Sequence, residues 1–293
     1  MNTCAWSQSA VAPRVQAGIR NTQSTQNTFS YPFIDVPARP PLRNQNRPQQ
    51  NALLAALPAD ELDALLPHLE WVEMPSGTEI YEFGRNLEYV YFPTTAIVSL
   101  MYVMEDGATT EIAVIGHEGM LGISLIIGDT ILGTAVVQTA GAGYRVKAKL
   151  LKEAFSRGGG LQHLLMRYTQ ALLAHMAQST VCGRHYTIGQ KLCRWLLDRL
   201  DRLPGNELKV TQELIANMLG VRRESVTEAA GKLQDEGLIH CRRGNITVLD
   251  RSGLELHAGE CYKVAKNAYD SLLLKVVGTP SQSGAASART RLT

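Results

Sequence analysis

The chain has 293 residues, 45% apolar and 19% charged, with 29 Lys and Arg against 27 Asp and Glu for a net charge of +2. That length holds about two domains plus tails, and the apolar share is ordinary for a globular protein. No run of about 18 apolar residues occurs, so no membrane span is expected, and the opening MNTCAWSQSAVAP lacks the order of a secretory signal.

The five cysteines, at 4, 182, 193, 241 and 261, form neither a disulfide framework nor a CxxC zinc pattern. A reducing cytoplasm is the simplest location. Iron–sulfur sensing would need about four grouped thiolates, and Cys4 stands alone. Cys182, His185 and Cys193 make only a weak zinc pattern without a fourth partner. Nothing supports haem ligation through His117 or His175. The Gly119–Gly122 spacing is not followed by the Lys-Ser/Thr of a phosphate loop, and no nucleophile motif surrounds any Ser-His-Asp set. No enzyme, metal or cofactor is expected.

Residues 1–50 hold six of the twelve prolines, seven Gln, five Asn, five Arg and one acid, Asp35. Such a segment buries too little apolar surface to offset its ordering entropy and is expected to be a disordered extension. The tail at 276–293 reads the same way. From Asn51 to Leu69, Leu53, Leu54, Leu57, Leu62, Leu65 and Leu66 fall at helical spacing. From Glu70 to Lys147 the period changes. Leu87–Phe92, Ala96–Val103, Thr110–Ile115 and Ala135–Thr139 are rich in β-branched and aromatic residues, with glycines at 77, 84, 107, 116, 128 and 141 between and around them. Evenly spaced short strands predict a sandwich or roll. This stretch carries ten acids and three basic residues, a poor composition for DNA contact.

Leu161–His185 has no Pro and reads as one long helix. Leu161, Leu165, Tyr168, Leu172, His175, Ser179 and Cys182 alternate at four and three residues, the a/d seam of a coiled-coil dimer. An exposed His175 would titrate near physiological pH, and Cys182 could pair across a two-fold axis; the plainer expectation is an interface His and a packing Cys. Thr187 can cap a further helix, Ile188–Arg202, with Leu192, Trp195, Leu196, Leu197 and Leu200 buried, which leaves 183–187 as a hinge.

Asn206–Arg251 is the most informative segment. Thr211 can cap a helix whose apolar face is Leu214, Ile215, Met218 and Leu219, with Glu213 favoured in its first turn. Gly220 permits the tight turn, and Val221 plugs the two helices. A second helix buries Val226, Ala229, Ala230 and Leu233 and presents Arg222, Arg223, Glu224, Thr227 and Glu228 at its N-terminal end. Gly237 stops it. Leu238–Ile239 and Ile246–Val248 then flank a basic turn, Arg242-Arg243-Gly244-Asn245. This is a winged helix-turn-helix, which places one helix in the DNA major groove. Base edges would be read by Arg222, Arg223, Glu224, Thr227 and Glu228, and phosphates held by Thr211, Gln212, Ser225, Arg242 and Arg243. The segment is charge-neutral, seven against seven, so local placement rather than bulk charge argues for DNA.

Over about residues 52–265 the order of parts resembles the Crp/Fnr family of bacterial transcription regulators. The resemblance implies an α+β chain: a cyclic-nucleotide-binding-like jelly roll (N-terminal β-roll) at 51–160, a long dimerisation helix at 161–185, and a Crp-type winged helix-turn-helix at 186–265. It implies a homodimer on an inverted-repeat DNA site, with RNA polymerase as a further partner. Arg223-Glu224 match the family's reading pair, but Glu228 stands where a later Arg is usual. An Arg there would reach guanine, whereas a Glu would accept from cytosine N4 or avoid bases. In cyclic-nucleotide-binding members a Gly-Glu pair holds the ribose and an Arg before Ser/Thr-Ala pairs with the phosphate. Aligning on Gly122 and Thr134-Ala135 puts Ile123 and Gly133 in those places, and no basic residue occurs from 123 to 144. An anionic phosphate in a partly dry pocket needs a charge partner. Cyclic AMP and cyclic GMP are therefore not expected. Gly122, Ile123, Gly133 and Thr134, with Leu121, Leu125, Ile126, Ile127, Ile131 and Leu132 nearby, would line a pocket for a neutral ligand or simply be core. Two alternatives stay open: specific DNA binding only with an unidentified ligand, and an interaction scaffold that no longer reads DNA.

Overall fold

The computed structural model describes residues 47–274 apart from 83–86, 105–108 and 129–132. Residues 1–46, the tail from 276, and Ile131 and Leu132 thus lie outside the described residues. Pro48–Gln50 already form a turn of 3-10 helix, inside the segment read as disordered. Asn51 then starts helix α1 (Ala52–Ala55). Its Oδ1 accepts from the backbone of Leu53 and Leu54, and its Nδ2 donates to the carbonyls of Pro93 and Gly119 at 2.9 and 2.8 Å. One buried amide thus caps a helix and pins it to the roll.

After α2 (Ala59–Leu65) come β1 (Glu70–Met74), β2 (Glu79–Tyr81), β3 (Tyr89–Pro93), β4 (Ile97–Val103), β5 (Thr109–Ile115), the short α3 (Ile123–Ile127), β6 (Thr134–Thr139) and β7 (Gly141–Lys147). They form two antiparallel sheets, β1-β7-β3 and β2-β6-β4-β5. Both feed one core: Met74, Val90, Phe92, Tyr144 and Val146 from the first, Val98, Leu100, Ala113, Ile115, Ala135 and Val137 from the second. This is the expected β-roll within an α+β chain. Strands β1, β2 and β7 were not singled out in the sequence.

The alternate residues of the second sheet, Ile97, Ser99, Met101, Val114, Val136 and Gln138, are also buried but belong to no part of that core. A sheet face that leaves one core and is still dry must be covered from outside. The covering elements come from the C-terminal half.

Helix α4 (Ala148–Ser156) leads to α5 (Gly160–His185), a single 26-residue helix. Glu61 caps its start, its two carboxylate oxygens accepting from Gly160 and Leu161 N–H at 2.7 and 2.6 Å. The stripe expected as a dimer seam faces the chain's own interior. Leu161, Leu165, Tyr168, Leu172, His175 and Cys182 are all buried within the chain itself and Ser179 is half-buried. Tyr168 donates to the Met120 carbonyl at 2.7 Å, under the roll. The opposite face carries Met166, Leu173 and Val181, exposed by 56, 62 and 45%. Along it Met166, Gln170, Leu173, Ala177, Thr180 and Arg184 repeat the same four-three spacing, so periodicity alone could not choose between the two.

The C-terminal half holds α6 (Ile188–Leu200), β8 (Glu207–Lys209), α7 (Gln212–Leu219), α8 (Arg223–Asp235), β9 (Ile239–Arg242), β10 (Asn245–Val248), α9 (Arg251–Ala258) and α10 (Glu260–Leu274). Thr187 and Gln190 form a reciprocal capping box at the start of α6. The 265 boundary read from sequence falls inside α10, which packs along α5, as when Arg167 donates to the Ser271 carbonyl at 2.6 Å. Helices α9 and α10 were not anticipated.

Candidate nucleic-acid interface

Thr211 caps α7, its hydroxyl accepting from Leu214 N–H at 3.2 Å. Leu214, Ile215, Ala216 and Met218 are buried. Gly220 ends the helix at φ 62°, ψ 38°, a left-handed conformation open to glycine at little strain. Val221 N–H returns to the Ala216 carbonyl at 3.0 Å and its side chain is half-buried between the helices. Helix α8 opens at once and turns Val226, Ala229, Ala230 and Leu233 inward.

Every residue expected to read bases lies on the other side: Arg222, Arg223, Glu224, Thr227 and Glu228 are all exposed. Of those expected at phosphates, Thr211, Arg242 and Arg243 are exposed and Gln212 and Ser225 half-buried. The Thr227 hydroxyl donates to Gln212 Oε1 at 2.7 Å, so the first helix's start is tied to the exposed face of α8. Glu228 is engaged within its own helix by Lys232 Nζ at 2.8 Å. That bond holds the Glu228 carboxyl below its ordinary range and raises the lysine. This exposed pair uses one carboxylate oxygen and leaves the other free to accept.

The wing is the sheet β8-β10-β9. Arg242 pairs with Asn245 across a two-residue turn in which Arg243 and Gly244 both have positive φ, 23° and 76°. Mirror-image hairpin turns require this, and Gly meets it freely while Arg does so against strain. Strand β8, unread in the sequence, adds Lys209, exposed and in register with Asn245 beside the arginine tip. A lone Lys two residues ahead of a helix cap carries no signal by itself. Its place appears only once β8 pairs with β10. Gln234 Oε1 accepts from Cys241 N–H at 2.8 Å and locks the wing to α8.

Residues 190–256 match the model of the Crp-like helix-turn-helix domain. Across the described fold the chain is similar to solved regulators: a putative transcriptional regulator of the Crp/Fnr family from Eubacterium rectale (19% identity, 72% of this chain and 99% of that one, TM-score 0.58) and FixK2 from Bradyrhizobium japonicum (20%, 64% and 95%, 0.57). Residues 190–256 thus carry a Crp-like helix-turn-helix domain, in a chain that shares its fold with these regulators. A third structure, the c-di-GMP-responsive global regulator CLP of Xanthomonas campestris, shares the fold at 18% identity (66% and 100%, 0.53). No curated protein matches the chain.

The four residues expected around an effector fall in two pairs, one at the start of α3 and one at the start of β6. Gly122 (φ 88°) and the buried Ile123 begin α3, where a Cβ on Gly122 would meet Val90 and Leu87. Gly133 (φ 76°) and the buried Thr134 lie against β4, and a Cβ on Gly133 would stand 2.5 Å from the Met101 carbonyl oxygen. A cavity of about 160 Å³ lies elsewhere, at the joint of roll and reader, lined by Glu118, His175, Asp198, Arg202, Tyr269 and neighbours.

That joint is built of paired charges. The fully buried Arg199 of α6 bonds the Glu111 carboxylate on β5, which also accepts from Ser99 of β4. Arg199 stacks over Trp195, 3.7 Å from the ring centre. Arg202 grips Glu118 through Nε and Nη2, both at 2.7 Å. Helix α7 rests on β5, and Gln138 of β6 faces Met218. These contacts dry the outer sheet face. Burial, with the positive field of Arg194 and Arg202, holds the His175 imidazole well below its ordinary range, so it is neutral rather than a titrating seam residue.

Proposed function

We propose that the regulator acts as a homodimer whose two α8 helices enter successive major grooves about one helical turn apart and read an inverted repeat. The observation that carries this reading is the exposed N-terminal end of α8, with Arg222 and Arg223 flanked by the strained basic tip at Arg242-Arg243. Arg223 and Glu224 serve as base readers, with Arg222 and Thr227 beside them. Thr211, Gln212, Ser225, Arg242, Arg243 and Lys209 serve as phosphate contacts. Glu228, where the family usually has an Arg, accepts from cytosine N4 or stays off the bases, so the half-site of the family's best-known members does not carry over.

The dimer forms along the outer face of α5. Met166, Leu173 and Val181 are large apolar side chains in water, and a seam at four-three spacing on a long helix is what a second copy of the same helix covers. The roll does not take cyclic AMP or cyclic GMP in the family's manner, since no basic residue stands between 123 and 144 to hold a phosphate. RNA polymerase is the downstream partner.

The test is retention of random-sequence duplexes by the purified full-length protein at moderate salt, without ligand, followed by sequencing. An enriched inverted repeat supports a dimeric reader competent by itself. Enrichment only after adding small-molecule cell extract supports a ligand-dependent reader, and no consensus in either condition overturns the reading.

A further inference from the structure

Cys182 near the end of α5 and Cys261 at the start of α10 meet under the guanidinium of Arg194 on α6. They are 5% and 1% exposed. Arg194 Nη1 donates to Cys261 Sγ at 3.4 Å and Nη2 to Ser179 Oγ at 2.8 Å, and its charge acts on the Cys182 thiol as well. The Cys261 thiol donates to the Gln178 carbonyl at 3.2 Å, one turn before Cys182 on α5. Neither DNA reading nor the outer face of α5 uses this cluster.

Buried cysteines in apolar surroundings are inert packing residues. Cys193, next to Arg194 in the chain, is one: burial pushes its thiol up to about 12. Cys182 differs. The neighbouring Cys261 thiol and the Arg194 guanidinium hold its thiol below the ordinary range, against the effect of burial. A thiolate beside a cation, with a second thiol in reach, has the parts of an oxidation site with its own resolving group.

We propose that Cys182 and Cys261 are a dithiol site which a hydroperoxide oxidises to an intramolecular disulfide, tying the long helix to the C-terminal helix. The Cys182 thiolate attacks one peroxide oxygen. The O–O bond breaks, an S–O bond forms, and the departing oxygen takes a proton and leaves as water or alcohol. Cys261 sulfur then attacks Cys182 sulfur. The S–S bond forms, the S–O bond breaks, and the hydroxide leaves as water with the Cys261 proton. Two thiols lose two electrons, and the peroxide is reduced. Arg194 exchanges a thiolate partner for a neutral disulfide and keeps Asp198 and Ser179, so the bond changes what holds α6 to α5.

The experiment treats reduced full-length protein with hydrogen peroxide, then denatures, alkylates and maps the peptides. The expected result is a mass loss of about 2 Da, a Cys182–Cys261 linked peptide reversed by dithiothreitol, and Cys193 and Cys241 still alkylated. Cys261→Ser, and Cys261→Ala as a second variant in case the serine disturbs packing, should abolish the link and let dimedone trap Cys182 as sulfenic acid. If Cys182 and Cys261 stay alkylated to the same extent as Cys193, or the link joins other cysteines, the proposal is overturned. None of these readouts involves DNA, so their failure is distinct from failure of the DNA-reading function.

Discussion

Glu111 on β5 and Arg199 on α6 form the ion pair that fastens the reader to the outside of the roll, with the arginine fully buried and the glutamate side chain 10% exposed. Removing one partner of a buried pair strands the other charge. Glu111→Ala should therefore destabilise the chain by about 3–5 kcal/mol, while Glu111→Leu together with Arg199→Leu should lie much nearer the parent. Urea unfolding of the single and double variants measures this. A single variant as stable as the parent would mean the pair does not hold the joint.

The reading helix and the wing should separate by their salt and sequence behaviour. Arg223→Ala should cost about 1–3 kcal/mol on the selected site and relax one position, with little loss on random DNA. Arg243→Ala should weaken both alike and flatten the slope of affinity against salt by about one ion. Equal losses on specific and random DNA for Arg223→Ala would remove it from the base readers. Because Arg243 sits at positive φ, Arg243→Gly should lose the same DNA affinity and yet unfold at a higher urea concentration.

His175 gives a pH dependence whose sign is fixed by its environment. Its folded-state pKa lies well below the ordinary value because of burial and the facing Arg194 and Arg202. The unfolded chain then binds the proton first as pH falls. Stability from the neutral imidazole is complete above about pH 6.5 and is lost as pH drops below it, at up to about 1.4 kcal/mol per pH unit. Asp198, raised by burial, acts in the opposite direction, so the measurement is the difference in slope between the parent and His175→Gln over pH 7.5 to 5.5. Parallel slopes would show that His175 is not buried neutral.

What could be read in the sequence was what local chemistry decides. Thr211, Gly220 and Gly237 punctuate the two reader helices through caps and turns that depend on neighbours a few residues away, and the burial pattern of α8 follows its own periodicity. Long-range pairing decides the rest. Ile97–Met101 is apolar but for Ser99, the mark of a strand covered on both faces, but only the folded chain shows that the C-terminal half is the cover. Helix α10 buries Cys261, Tyr262, Ala265 and Tyr269, a face of small and amphipathic residues with a weaker apolar signature than a leucine stripe. Lys209 joined the wing only through the pairing of β8 with β10.

The two faces of α5 make the last prediction. Leu172 and Leu173 are chain neighbours, but Leu172 is 7% exposed inside the chain's own core and Leu173 62% exposed on the opposite side. If the outer face is the dimer seam, Leu173→Glu puts two like charges at the centre of the contact and leaves each protomer's core intact. Sedimentation equilibrium should then show folded monomers, and binding to an inverted repeat should fall toward that of a single half-site while circular dichroism is unchanged. Leu172→Glu should instead unfold the chain, because a buried carboxylate without a partner carries a large desolvation penalty. A Leu173→Glu protein that stays dimeric, or a Leu172→Glu protein that becomes a folded monomer, would return the seam to the Leu161–Cys182 stripe and require the helix to turn its present core face outward in the dimer.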